Sequence, residues 1–136
     1  MFLSIQFEAK AMTRGAMLDL IVSKMRTYVG RIDDEKFTKD FSASQMRDVA
    51  TNVLKAVPEV VELPQMTISG AGELGMVWFF GERQFDVIFY PDGDVTWTYA
   101  SADWPRTQGH RRSSDDEFIP ALVGSLKALN NYYVGQ

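Results

Sequence analysis

The spacing of apolar residues along the chain predicts three helices. In residues 14–29, and again in 43–57, apolar side chains recur every three or four positions, which is the spacing of one helix face. The second of these helices is preceded by Ser42, which forms the S-x-x-Q pattern of a capping box with Gln45. Pro58 ends it, because proline has no backbone N–H to donate and its ring clashes with the preceding turn.

The third helix is predicted over residues 116–131, and its start is ambiguous. Ser114 and Glu117 match a second capping box, but that start places Pro120 inside the first turns. One of these two interpretations must be wrong by a few residues. Residues 2–8 show neither helical nor strand spacing clearly, and we interpret them as a short strand or a lead-in to the first helix.

Strands are predicted in the middle of the chain, where apolar residues alternate with others. A short first strand and three longer ones are predicted at residues 65–69, 74–80, 84–90 and 94–100. The short loops Gly81-Glu82-Arg83 and Pro91-Asp92-Gly93 join the longer strands, which indicates an antiparallel meander. Residues 101–115 are predicted to form a long loop, because they combine glycine, proline and serine with many charged residues.

Together these elements predict an α+β fold, with a three- to four-stranded antiparallel sheet and helices packed on one face. The length of 136 residues fits a single domain over residues 1–136. Met12 and Met17 are alternative translation starts, so we interpret residues 1–12 as a dispensable N-terminal extension.

The predicted sheet carries more apolar side chains than one core-facing side requires. One face is uniformly apolar and is expected to pack against helices. The other face carries Val77, Phe79, Ile88 and Tyr90, which need a cover: a further helix, the N-terminal segment or another molecule. Because exposed apolar patches mark interfaces, we predict that these four residues and Trp104 in the long loop bind a partner protein or a second copy of the chain.

Composition narrows the classes of function. The net charge of −4 argues against direct binding of nucleic acid and is compatible with a basic protein partner. The chain has no cysteine, which excludes disulfides and thiolate catalysis and fits the reducing cytoplasm. No apolar run approaches the ~20 residues that span a bilayer, so no membrane association is expected.

Residues able to carry catalysis or bind metal are few. His110 is the single histidine, and without cysteine it does not supply the ligands of a zinc site. Asp92 and Asp94 are explained by the turn between two strands, and residues 115–117 by the acidic start of a helix. No glycine-rich phosphate-binding pattern is present. The sequence therefore predicts no catalytic residue, no metal site and no cofactor.

The order of elements resembles that of a group of small bacterial and phage-borne proteins without an assigned activity. The resemblance covers residues 42–129, and its anchors in this chain are Leu63-Pro64, Gly72, Leu74, Trp78, Phe85 and Asp92-Gly93, with a closing helix at 118–129. Val77 stands where that group often has a glutamate before the tryptophan. The resemblance implies accessory or mobile-element cargo, for which an interaction protein is expected rather than a metabolic enzyme.

We therefore predict a non-enzymatic protein-interaction module, for example a phage or mobile-element inhibitor or an antitoxin-like regulator. Two alternatives are open at this point. The chain could be a small carboxylate-dependent hydrolase or nuclease in which His110 helps. It could also be an acidic mimic of nucleic acid that blocks a DNA-binding protein.

Overall fold

The computed structural model describes residues 12–100 and 108–135. In chain order the elements are helix α1 (Arg14–Gly30), a short 3-10 helix (Asp34–Lys36), helix α2 (Ala43–Ala56), strands β1 (Gln65–Ile68), β2 (Leu74–Phe80), β3 (Arg83–Phe89), β4 (Asp94–Ala100) and β5 (Gln108–Arg112), and helix α3 (Phe118–Val134). The interpretation of residues 2–8 and the site prediction for Trp104 fall outside the described residues.

The five strands form one antiparallel sheet in the order β1-β2-β3-β4-β5, so each strand pairs with its neighbour in the chain. The predicted α+β class and the predicted meander are confirmed. The predicted number of three to four strands is too low by one. Among the described helices, none is long and apolar enough to cross a membrane.

The additional strand is β5, in the segment that the sequence predicts to be a loop. Residues 108–112 pair with β4, and Gly109 lies opposite Trp97. A side chain at position 109 would overlap the Trp97 indole, so glycine is what allows β5 to approach β4. The apolar alternation that reveals strands is missing here, because β5 is an edge strand with exposed polar residues.

The hydrophobic core lies between the helices and the inner face of the sheet, and its helical and sheet side chains form one cluster. Residues of the inner face alternate along each strand as predicted, and the buried ones are Met66, Leu74, Met76, Trp78, Phe80, Phe85, Val87, Phe89, Val95, Trp97 and Tyr99. The predicted alternation, with one uniformly apolar face toward the helices, is thus confirmed.

Helix α2 begins as predicted. The amide of Ser42 donates to Gln45 Oε1 at 2.7 Å, and the amide of Gln45 donates to Ser42 Oγ at 3.2 Å. This reciprocal pair satisfies two backbone N–H groups that the first turn of a helix cannot satisfy by itself. The helix ends at Ala56, directly before Val57 and Pro58.

Helix α1 buries few side chains, and Met25 and Val29 are the two that are fully enclosed. A polar contact at its start adds to this packing. The Arg14 guanidinium donates hydrogen bonds to three backbone carbonyl oxygens after the end of α2, those of Val57 at 3.3 Å, Pro58 at 2.9 Å and Val61 at 2.8 Å.

Helix α3 begins at Phe118, and its N-cap residue Glu117 makes no side-chain capping hydrogen bond. The predicted capping box of Ser114 and Glu117 is therefore wrong. Pro120 is the third residue of the helix, where it is tolerated because backbone N–H groups of the first turn have no partner within the helix.

Among the described residues three glycines have positive φ, and two of them, Gly81 and Gly93, make the turns that join β2 to β3 and β3 to β4. Gly81 has a φ of +68° in a two-residue loop closed by the pair of Phe80 and Arg83, so Arg83 belongs to β3 and not to the predicted three-residue loop. Gly93 has a φ of +92° and ends the predicted three-residue loop, whose Asp92 carboxylate accepts the Asp94 amide at 2.9 Å.

Candidate functional site

Four of the five residues predicted to bind a partner lie on the outer face of the sheet, away from the core. Val77 and Phe79 belong to β2, Ile88 belongs to β3, and Tyr90 directly follows β3. Each of them alternates with buried inner-face residues. The fifth residue, Trp104, lies outside the described residues.

These outer-face residues do not form one continuous apolar patch. Val77 pairs across the strands with Asp86, and Ile88 pairs with Thr96, so polar side chains lie between the apolar ones. Phe79 differs from the others, since it is 49% exposed while they are half-buried. The most accessible predicted contact is therefore at the end of β2.

A cleft opens beside Phe79 where β1 stops pairing with β2. The ladder between the two strands ends at the pair of Gln65 and Val77, so residues 78–80 have no β1 partner. The cleft has a volume of ≈ 360 Å³, near the lower end of the range of about 300–1,000 Å³ for ligand sites. The residues that line it, and that define what we call the Phe79 cleft, are Val60, Glu62, Trp78, Phe79, Phe80, Gly81, Asn130 and Tyr133.

Three parts of the chain form the walls of the Phe79 cleft: residues 60–62 after α2, the end of β2 with its turn, and the last turns of α3. The Tyr133 ring packs over Gly81, where an added Cβ would lie 3.1 Å from Tyr133 Cε1. The same ring makes an edge contact with Phe80 at a centroid distance of 6.2 Å. Gly81 thus permits both the turn and the close approach of α3.

Exposed apolar side chains converge on this cleft. Among the described residues seven large apolar side chains are strongly exposed, and three of them line the cleft: Val60 at 76%, Phe79 at 49% and Tyr133 at 44%. Single exposed apolar residues are ordinary on protein surfaces. Their concentration around one concavity is typical of an interaction site.

The cleft contains few polar side chains. Asn130 is only 8% exposed, and within the described residues its side-chain amide has no hydrogen-bond partner. The amide atoms are not among the buried unpaired polar atoms, so they are accessible from the cleft. Glu62 is the one described lining residue with a charged side chain, and it is exposed. The Trp78 indole N–H has no acceptor among the described residues, and this buried atom does not reach the cleft surface.

Of the lining residues, the sequence identified Phe79 as a contact but missed the others. Tyr133 lies beyond the predicted end of the third helix, and residues 60–62 lie in a transition segment without a clear period. Asn130 did leave a signal. It continues the spacing of Leu122 and Leu126 on the buried face of α3, and a polar residue at such a core position indicates a special contact.

A second group of polar side chains lies at the far edge of the sheet. Arg112 on β5 donates from Nη1 to Asp94 Oδ1 at 2.6 Å and from Nη2 to the Asp92 carbonyl at 2.8 Å. His110 Nε2 lies 3.5 Å from Asp94 Oδ2. The hydrogen bond from Arg112 is the largest influence lowering the pKa of Asp94 below its ordinary value of 3.8. Asp94 is thus a weak base. The contacts among these side chains connect β5 to the β3–β4 turn.

The ion pair with Arg112 predicts a pH-dependent contribution to stability. Because its pKa is lowered in the folded state, ionised Asp94 stabilises the fold at pH values above about 4, and this contribution is lost as the pH falls through the folded pKa. We expect Asp94→Asn to lower the free energy of unfolding by less than about 1 kcal/mol at neutral pH. It should also flatten the acid limb of the stability curve, which is the fall in the free energy of unfolding toward low pH. Urea denaturation at several pH values measures both effects.

The matched control for this prediction is Asp116→Asn, since Asp116 is an exposed carboxylate for which no ion pair occurs among the described residues. It removes the same charge without breaking an ion pair. Equal acid limbs for the two variants would contradict a stabilising role of the Asp94–Arg112 pair.

No group of three or more histidine, cysteine or acidic side chains within the described residues is placed to hold a metal ion. No protein-family model, no curated protein and no solved structure matches this chain. The geometry of the Phe79 cleft is consequently the basis for assigning a function.

Proposed function

We propose that this chain is a non-enzymatic protein-interaction module that binds a partner protein through the Phe79 cleft. The observation that carries this proposal is the convergence of Val60, Phe79 and Tyr133 on one concave surface. A partner side chain that fills the cleft removes these surfaces from water. This transfer contributes about 25 cal/mol per Å² of apolar area, before the entropic costs of association are subtracted.

The outer face of the sheet extends this binding surface. Phe79 belongs to both the cleft and the outer face, where Val77 lies two residues away on the same strand. Ile88 and Tyr90 lie further along the face, among polar residues. We assign Phe79 to the centre of the interface and the other three to its periphery, an arrangement in which central residues dominate the affinity.

The chemistry of the cleft favours binding over hydrolysis. Its described lining contains a single carboxylate, that of Glu62, whereas acid–base hydrolysis by carboxylates uses a pair. His110 and Asp94 lie on β5 and β4, and β3 separates them from β2. This surface fits a role as an inhibitor or antitoxin-like regulator, in which a segment of the target protein occupies the cleft.

The proposal is tested by capturing proteins from a lysate of the source cell with three immobilised baits: the wild-type chain, Phe79→Asp and Leu20→Asp. Leu20 is the matched control, because it is an apolar residue on α1 that is 57% exposed and distant in sequence from the cleft. A captured protein is then purified and its Kd is measured by calorimetry. We expect Phe79→Asp to weaken binding at least about tenfold, because it places a charge in a desolvated site.

Leu20→Asp should leave the affinity unchanged. Capture that does not depend on Phe79, or no stoichiometric partner at all, would overturn the proposal. Light scattering on the same variants separates a further outcome. A wild-type homodimer that Phe79→Asp dissociates would show that a second copy of the chain occupies the cleft, which overturns the assignment of a different partner.

A further inference from the structure

The backbone at the end of β2 is oriented toward the Phe79 cleft. Along an antiparallel strand, the N–H and C=O groups of successive residues point alternately to the two neighbouring strands. The Ser69 amide donates to the Glu73 carbonyl at 3.0 Å, so Glu73 faces the β1 side. By this alternation Val77 and Phe79 face the same side.

None of the described strands pairs with Phe79 on that side. The β1–β2 ladder ends at Gln65, and the residue before it is Pro64, which has no N–H. Within the described residues no backbone hydrogen bond joins Phe79 to the segment that leads into β1. The cleft therefore contains a short free edge of the sheet, beside an exposed aromatic side chain.

The Asn130 amide presents a second set of groups that match a peptide bond. It offers one acceptor and two donors, as a passing backbone C=O and N–H require. The residue as a whole is only 8% exposed, but its amide atoms are not among the buried unpaired polar atoms, so they reach the surface of the cleft that Asn130 lines. A purely apolar occupant would bury this amide without a partner, whereas a peptide segment would bond to it.

The single charged side chain among the described lining residues is acidic. Glu62 lines the cleft, while the adjoining turn carries Glu82 and then Arg83, whose guanidinium lies 5.0 Å from the centre of the Tyr132 ring. Asn130 and Tyr133 belong to the last turns of α3, where the helix dipole places partial negative charge. These groups favour a cation beside the apolar occupant.

We propose that the Phe79 cleft binds an extended peptide segment of the partner, which adds to the free edge of β2. The segment places a bulky apolar side chain in the cleft and a lysine or arginine next to it, facing Glu62. Strand addition of this kind takes its affinity from main-chain hydrogen bonds and its specificity from pockets for side chains. This inference rests on the proposed function and names the chemistry of the partner.

The test begins with a random dodecapeptide library selected on the purified full chain. We expect the enriched peptides to share a bulky apolar residue within two positions of a lysine or arginine. Affinities of synthetic versions are measured by fluorescence anisotropy. N-methylation of the peptide residue that pairs with Phe79 should weaken binding at least about tenfold, because it removes a main-chain hydrogen bond. Glu62→Gln should weaken basic peptides and reduce the salt dependence of binding.

Asn130→Ala provides a readout that separates recognition from structure. It should weaken peptide binding without lowering the melting temperature, because within the described residues no hydrogen bond joins this amide to another side chain or to the backbone. The matched control is Asn131→Ala, since Asn131 is the exposed neighbour on the same helix. That variant should bind peptides like the wild type.

The outcomes distinguish this inference from the proposed function. Suppose that the Phe79-dependent peptides lack basic residues and tolerate N-methylation at every position. The proposal of an extended basic peptide is then wrong, while the proposal of a protein-interaction module is still supported. If the library yields no Phe79-dependent peptide but a captured protein does depend on Phe79, the cleft binds a folded surface and the inference is again wrong. If neither is found, both proposals are wrong.

Discussion

Replacing Gly109 by alanine is expected to lower the free energy of unfolding by about 3 kcal/mol, the upper part of the range for overpacked cores. The added methyl group would overlap ring atoms of the Trp97 indole. Trp97 is only 3% exposed, and its ring lies 6.3 Å from that of Phe118 on α3. Since a rigid ring in a filled core has nowhere to move, either the core repacks with strain or β5 separates from β4.

The matched control for this substitution is the same change at Gly124. This glycine lies exposed on α3, and a Cβ added there would meet no atom within 4 Å. Because glycine is a poor helix former, Gly124→Ala should raise the free energy of unfolding by about 0.5–1 kcal/mol. Urea denaturation followed by tryptophan fluorescence measures both variants. A similar effect of the two substitutions would contradict the close packing of β5 on Trp97.

The sequence predicted the elements whose signals are local. The bounds of β2 and β4 agree with the predicted residues 74–80 and 94–100, because apolar alternation marks each strand and a glycine turn limits it. The capping box of α2 was predicted for the same reason, since its two side chains are three residues apart. Such signals need no knowledge of distant parts of the chain.

Strand β5 could not be predicted from local sequence signals. Its inward-facing Gly109 is required by an indole twelve residues earlier in the chain, and that requirement exists only once β5 and β4 are paired. A glycine among polar residues otherwise indicates a loop, which is what the sequence predicted. The contact between β5 and Trp97 therefore makes this segment a strand, although its local composition is typical of a loop.

The Phe79 cleft could be predicted only in part, for a similar reason. Alternation along β2 placed Phe79 on the outer face, but the walls of the cleft come from residues 60–62 and from the end of α3. These segments are far apart in the sequence and meet because of the topology. The available local signals were Pro64, which favours the start of an edge strand, and Asn130, a polar residue on an apolar helix face.

Replacing Arg14 by methionine is expected to lower the free energy of unfolding by about 2 kcal/mol, because hydrogen bonds from a charged group contribute about 1.5–3 kcal/mol in favourable cases. The change removes the Arg14 donor from three carbonyl oxygens after α2, of which the Pro58 oxygen still accepts the Val61 amide. Methionine keeps much of the apolar stem, so the loss reports the guanidinium rather than packing. Arg26→Met is the matched control, since Arg26 is exposed on the same helix.

The Arg14→Lys variant distinguishes charge from geometry. Lysine keeps the positive charge but has no planar fork with which to reach three separate acceptors. We therefore expect it to recover only part of the lost stability in urea denaturation. Because α1 encloses only Met25 and Val29, the amides of its first turns should also exchange faster in both variants. Full recovery by lysine would show that charge alone holds α1 against the end of α2.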